Sequence, residues 1–146
     1  MLNKISWLGH SSIKIKTDKV IYIDPWKIRD SEKADLILVS HSHSDHLSPV
    51  DIKKIQKADT GILTTADCAD KLNGDVRAMK PGDKSAVHGI TVEAVPSYNA
   101  NKAFHPRSNN WIGFIITVES KRIYYPGDSD FTPEMKGIKA DIMIMP

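Results

Sequence analysis

Six consecutive residues carry most of the chemistry this sequence offers: His41-Ser42-His43-Ser44-Asp45-His46. Imidazole and carboxylate are ligands for Zn²⁺, and also for Mn²⁺ or Fe²⁺. His41 and His43 are two apart, so in an extended segment they point to one side. Asp45 and His46 follow where the chain can turn, and a turning loop can aim this second pair at a second ion. Two neighbouring ions bridge a water and lower its pKa to near neutral. The resulting hydroxide attacks a carbonyl or phosphoryl centre, while one metal polarises its oxygen and the other stabilises the leaving group. That chemistry requires no serine or cysteine nucleophile, and Cys68, in a predicted helix, reads as a small core residue. The competing reading is a solvated loop rich in histidine and serine. The spacing, the aspartate and the apolar run before the motif all favour the metal site.

A metal site needs rigid supports, and the flanking segments read as such. Leu36-Ile37-Leu38-Val39 is a continuous apolar run leading into His41, as expected of a strand buried on both faces. Residues 4–8 and 12–16 alternate apolar and polar positions, with Gly9-His10-Ser11 as the turn between them. Residues 20–23 form a third strand, which stops at Asp24-Pro25 because proline cannot donate to a ladder. Ser48-Pro49-Val50-Asp51 has a capping serine, proline at the first helical position and an acid three after the cap, predicting a helix as far as Lys57. Residues 62–64 read as a short strand, and Thr65 as the cap of a second helix ending near Asn73-Gly74.

Residues 76–79 and 90–95 read as strands around the turn Pro81-Gly82-Asp83. Residues 98–110 form a polar loop without periodicity. Residues 112–118 and 122–125 read as a hairpin turning at Glu119-Ser120-Lys121, broken by Pro126-Gly127-Asp128. Residues 141–145 read as one more buried strand. Strands dominate the first quarter and strand–helix alternation follows, so the fold class is α/β, layered, with mixed sheets.

The chain's 146 residues suit one domain, 1–146, large enough to bury roughly two-thirds of the surface its unfolded chain exposes. A net charge of +2, with no Lys/Arg run beyond two residues, argues against nucleic acid or a membrane surface as partner. One cysteine excludes an internal disulfide and suits a reducing compartment. The first residues lack the apolar core of a signal peptide, and no stretch is long and apolar enough to span a bilayer. The expected location is the cytoplasm.

The histidine run resembles the H-x-H-x-D-H signature of the metallo-β-lactamase superfamily. Trp7-Leu8-Gly9-His10-Ser11-Ser12, Ile23-Asp24-Pro25-Trp26 and Tyr125-Pro126-Gly127-Asp128 occur in the matching order. Together they resemble the branch near the ascorbate-6-phosphate lactonase and N-acyl-phosphatidylethanolamine phospholipase D types. The resemblance implies an αβ/βα sandwich, of which this chain holds the N-terminal half and the start of the second. It implies that His41 and His43 bind one metal, Asp45 and His46 the other, and that Asp128 bridges both. Asp45 would also orient the attacking water or protonate the leaving group. The remaining histidine ligand of the first metal would be His88 or His105. His88 precedes a glycine and reads as a turn residue, so His105 is favoured. By the same analogy Asp24 accepts hydrogen bonds that hold the histidine loop. His10 either lines the pocket or is a plain turn histidine.

The resemblance also implies a continuation after residue 145, with a last histidine for the second metal. The absence of that part predicts self-association or a partner that supplies the missing half. Two functions follow. One is a metal-dependent hydrolase that attacks a small-molecule ester, lactone or phosphodiester with a metal-bound hydroxide. The other is a non-catalytic metal-binding or interaction remnant of the same fold. A tRNA-processing type of nuclease is disfavoured by the lack of a basic patch.

Overall fold

Two alternating sets of side chains build the first half of the molecule. In the strand Val20–Ile23 all four residues are buried, with Ile21 and Ile23 on one face and Val20 and Tyr22 on the other. The structure is a computed structural model, and it describes residues 2–44, 46–97, 112–127 and 138–144. The chain divides into two compact units, residues 1–78 and 79–146.

The first unit opens with a 3₁₀ turn, Leu2–Lys4. Its sheet runs in sequence order: β1 (Ile5–Gly9), β2 (Ser12–Lys16), β3 (Val20–Ile23), β4 (Leu36–Leu38), β5 (Gly61–Thr64) and β6 (Asp75–Ala78). β2 is antiparallel to both of its neighbours, β1 and β3, and β3 to β6 are parallel. The helices α1 (Pro49–Ile55) and α2 (Ala66–Ala69) lie in the crossovers after β4 and β5. Ile52 and Ile55 of α1 and Cys68 of α2 join Val20, Tyr22, Ile37, Val39 and Ile62 in one apolar cluster. The opposite face, with Ile13, Ile15, Ile21, Ile23, Leu36, Leu38 and Leu63, is buried as well. A strand buried on both faces must be apolar throughout, which is why Leu36–Leu38 shows no alternation.

The β3–β4 crossover is fastened by charge. Lys14 Nζ meets Asp30 Oδ2 at 2.7 Å and Glu32 Oε1 at 2.6 Å. Burial opposes the charge on Lys14, but the two carboxylates outweigh it and raise its pKa. Lys14 in turn is the main cause that lowers the pKa of Asp30 and Glu32.

The second unit holds a five-stranded sheet in the order β11-β10-β9-β8-β7. Its strands are β7 (Lys84–Val87), β8 (Ile90–Pro96), β9 (Ile112–Val118), β10 (Lys121–Tyr125) and β11 (Ile142–Met143). All neighbours are antiparallel except β10 and β11. No described helix is long and apolar enough to cross a membrane.

The predicted α/β class with mixed sheets is thus the observed one, with several local corrections. The first helix stops at Ile55 rather than Lys57, because the Lys57 N–H donates to Thr60 Oγ1 (2.9 Å). The second helix ends at Ala69, and the chain continues in tighter turns through Lys71 N–H to Cys68 O and Leu72 N–H to Ala69 O. Thr65 stands at its N-cap position as expected, but its hydroxyl donates to the Asp67 carboxylate and makes no capping hydrogen bond. Strand β7 has no counterpart in the sequence reading. It lies on an edge with only Val87 buried, so it shows almost no apolar pattern. The last strand is not buried: Ile142 is partly covered and Met143 is 49% exposed, because β11 is a two-residue edge strand.

Candidate metal centre

Parallel strands deliver their loops to one end of a sheet, and the candidate site lies at that end of the first unit. Ile23 of β3 is paired with Leu38 of β4, so the residues after each strand emerge side by side. The Asp24 N–H adds one more rung by donating to Leu38 O (2.8 Å). Asp24 then turns with φ 46°, a region that few non-glycine residues adopt and that aspartate tolerates. Pro25 ends the strand immediately after it.

After β4 the histidine segment folds back on itself. The N–H groups of His46 and Leu47 both donate to His43 O, at 2.9 and 2.8 Å. This turn gathers the imidazoles, edge-on for His41 and His43 and tilted for His41 and His46. The ring centroids of His41 and His46 are 4.0 Å apart, and those of His41 and His43 are 4.8 Å apart. His41, His46 and Asp24 are wholly buried, and His43 is partly exposed. The loop's start is pinned from β5 by Thr64, whose buried hydroxyl donates to Val39 O (2.9 Å).

Asp24 is the hub. Its Oδ1 accepts from Ser40 N–H (2.8 Å), and its Oδ2 accepts from the Ser40 hydroxyl (2.7 Å) and contacts His46 Nδ1 (2.6 Å). The Ser40 oxygen also meets His41 Nδ1 at 2.8 Å. Each ring is therefore held through Nδ1, and its Nε2, buried in both, is the nitrogen on the other side. This is how protein metal centres fix an imidazole, with a carboxylate or hydroxyl behind the ligand.

Ligand atoms of Asp24, His41 and His46 lie within 4.8 Å of one another, the one such group of three among the described residues. Proximity alone would allow Asp24 to be a ligand. Its two oxygens already take contacts from Ser40 and His46, so an orienting role suits its geometry better.

His10, exposed in the turn after β1, stands beside the cluster. It turns at φ 49°, and its ring lies 5.8 Å from that of His46 and 5.1 Å from that of Trp26. Lys27 sits over the Trp26 ring at 4.7 Å. Ser12 holds the segment from Asp24 to Trp26 by donating to Asp24 O (2.7 Å) and accepting from Trp26 N–H (2.9 Å). The next residues are tied to α1 by Asp51, which accepts from Lys27 N–H (2.9 Å), Ile28 N–H (3.2 Å) and the Ser48 hydroxyl (2.6 Å). Burial alone would raise the Asp51 pKa, but these hydrogen bonds and Lys54 outweigh it and lower the value.

Of the residues singled out from the sequence, the structure brings together His10, Asp24, His41, His43 and His46. Asp45, His105 and Asp128 lie outside the described residues. His88 is exposed, with φ 52° beside Gly89, in the two-residue turn of the β7–β8 hairpin. Ser12, Ser40, Asp51 and Thr64 were missed as parts of the site. Ser40 and Ser12 did carry a signal: one directly precedes the histidine run, and the other ends the Trp7–Ser12 motif. In the second unit, Gly113 has a local role. A Cβ there would lie 2.6 Å from Tyr125 O and 2.9 Å from Pro126 Cα, so glycine lets β9 pass under the segment that leads to residue 128.

Two mixed sheets and a buried histidine cluster at the carboxyl ends of parallel strands define a metallo-β-lactamase-type protein, and comparison with known proteins agrees. The chain matches the beta-lactamase superfamily domain over residues 4–146, and it belongs to that family. Its relatives include a UPF0173 metal-dependent hydrolase of Thermoplasma acidophilum, 30% identical over 98% of this chain and 70% of the relative. Another, of Archaeoglobus fulgidus, is 28% identical with the same two shares covered. A solved structure of a candidate metal-dependent hydrolase from Parabacteroides distasonis is 34% identical, with a TM-score of 0.87 over 95% of this chain and 67% of that one. The chain thus spans about two-thirds of the length of the relatives it matches. A diiron β-hydroxylase from Streptomyces venezuelae, 16% identical, shares the fold with a TM-score of 0.71. The fold therefore hosts more than one chemistry, and function has to be argued from the site.

Proposed function

We propose that this chain forms the metal-ligating part of a hydrolase acting on an ester, a lactone or a phosphodiester. One observation carries the reading: two buried imidazoles in ring contact, His41 and His46, each held at Nδ1 by Ser40 or Asp24. The donor set fits a metal ion, since imidazole nitrogen suits Zn²⁺, Mn²⁺ and Fe²⁺ alike. By family resemblance His41 and His43 would hold one ion and His46 with Asp45 a second, with His105 and Asp128 completing the two-metal set. A metal there supplies a water that ionises near neutral pH and polarises the scissile bond.

The chain's own residues set the stage for that chemistry. Asp24 and Ser40 hold the rings in place. Burial of His41 and His46 shields these two rings from bulk water, while His43 stays partly exposed. His10, Trp26 and Lys27 offer aromatic and cationic side chains beside the site. The relatives' name, metal-dependent hydrolase, supports the reaction class. Small-molecule substrates of the lactonase or phospholipase D type are our reading of the branch motifs.

The test is turnover of bis-p-nitrophenyl phosphate and of a simple lactone by the purified chain loaded with Zn²⁺ or Mn²⁺. Hydrolysis that is lost in His43→Ala is the expected result. Metal binding without turnover on a broad ester panel would replace the proposal with a non-catalytic metal-binding module.

A further inference from the structure

Ser40 is fully buried and touches both halves of the histidine pair's support. Adjacent side chains in a strand point to opposite faces. Ser40 and His41 can meet because regular β4 pairing has already ended at Leu38. The Ser40 hydroxyl has one proton and two neighbours, Asp24 Oδ2 at 2.7 Å and His41 Nδ1 at 2.8 Å. A carboxylate oxygen only accepts, so the proton points to Asp24. The Ser40 oxygen then presents a lone pair to His41, and His41 must carry its ring proton on Nδ1. The reverse arrangement would set two lone pairs against each other at 2.7 Å in a buried site. His46 meets the same carboxylate oxygen directly at 2.6 Å, with the same consequence for its ring.

We propose that Ser40 is a positioning residue that relays the preference of Asp24 to His41, so that one buried carboxylate sets both rings to the Nδ1–H tautomer. Both rings then turn an Nε2 lone pair toward the metal position. The inference deepens the metal-centre reading, yet the tautomers exist without a metal and can be measured without one.

The experiment is a long-range ¹H–¹⁵N correlation spectrum of metal-free protein labelled with ¹⁵N-histidine, with His41 and His46 assigned from single substitutions to Gln. Both rings should show protonated Nδ1 and bare Nε2. In Ser40→Ala the His41 pattern should change while that of His46 stays, and Zn²⁺ affinity should fall roughly 10–100-fold, the usual cost of losing such a support. Ser40→Thr should restore both. A wild-type His41 with its proton on Nε2 overturns the proposal. So does a folded Ser40→Ala variant with unchanged His41 signals and unchanged affinity. Should Ser40→Ala not fold, the wild-type spectrum and Ser40→Thr decide. If both rings show Nδ1–H and the protein binds no Zn²⁺, the relay stands and the metal-dependent function falls.

Discussion

Asp24→Asn changes one atom and should disable the histidine pair. Among the described residues the carboxylate meets Ser40 N–H on Oδ1, and the Ser40 hydroxyl and His46 Nδ1 on Oδ2. An amide offers one oxygen and one NH₂ group. With its oxygen toward Ser40 N–H, the NH₂ group confronts both Ser40 Oγ and His46 Nδ1. His46 must then move its proton to Nε2 to accept there, which removes the lone pair a metal needs. The flipped amide points NH₂ at Ser40 N–H and leaves a buried donor against a donor. Either way the fold should lose about 1–3 kcal/mol, and metal affinity should fall roughly 10–100-fold, or about 1.4–2.7 kcal/mol. Asparagine tolerates the positive φ of this position, so backbone strain does not confound the comparison. Urea unfolding of metal-free protein and calorimetric titration with Zn²⁺ or Mn²⁺ measure the two effects. A folded variant that binds metal as tightly as the parent would refute the role assigned to Asp24.

Three further outcomes are expected. Asp51→Ala strips the acceptor from Lys27 N–H, Ile28 N–H and the Ser48 hydroxyl, so it should cost on the order of 2–4 kcal/mol in urea unfolding. Because the folded Asp51 pKa lies below its unfolded value, its contribution is present above about pH 4 and lost as pH falls through the folded pKa. The acid limb of the stability curve should accordingly be shallower in the variant. Cys68 is buried and burial pushes its thiol pKa up, so it should resist a thiol reagent at pH 8 until the protein is unfolded; rapid native modification would contradict this. Gly113→Ala must shift Tyr125 O or Pro126 and should lower stability by about 1–3 kcal/mol, whereas a neutral effect would show that the strand end yields freely.

Some of this architecture was legible in the sequence because local chemistry and tertiary packing agree there. Residues 12–16, 20–23 and 112–118 alternate, or run apolar, over the span of the strands they form. The start of α1 is written in Ser48, Pro49 and Asp51. The histidine spacing pointed to one loop, and the loop does gather its imidazoles. What stayed hidden rests on contacts that no residue pattern announces. The end of α1 is set by Thr60 capturing Lys57 N–H, and no glycine or proline announces it. The hairpin after β9 was legible, but the length of its turn was not: Lys121 pairs with Val118 in the ladder, and Glu119 and Ser120 alone turn the chain, both at positive φ. Asp51 reads as half of a helix cap. That it also anchors the backbone at residues 27 and 28 follows only from the crossover that brings α1 back against that loop. Ser40 reads as an ordinary polar residue until Asp24 arrives beside it from the neighbouring strand.

The central claim is that His41 and His46, steadied from behind, bind a metal ion. It is tested most directly by equilibrium dialysis of the purified chain against Zn²⁺, followed by metal analysis, with His88→Ala as control. The account predicts at least one tightly held equivalent per chain, kept by His88→Ala and lost when His41 and His46 are both replaced by alanine. Equal metal content in the double variant and the parent would contradict it.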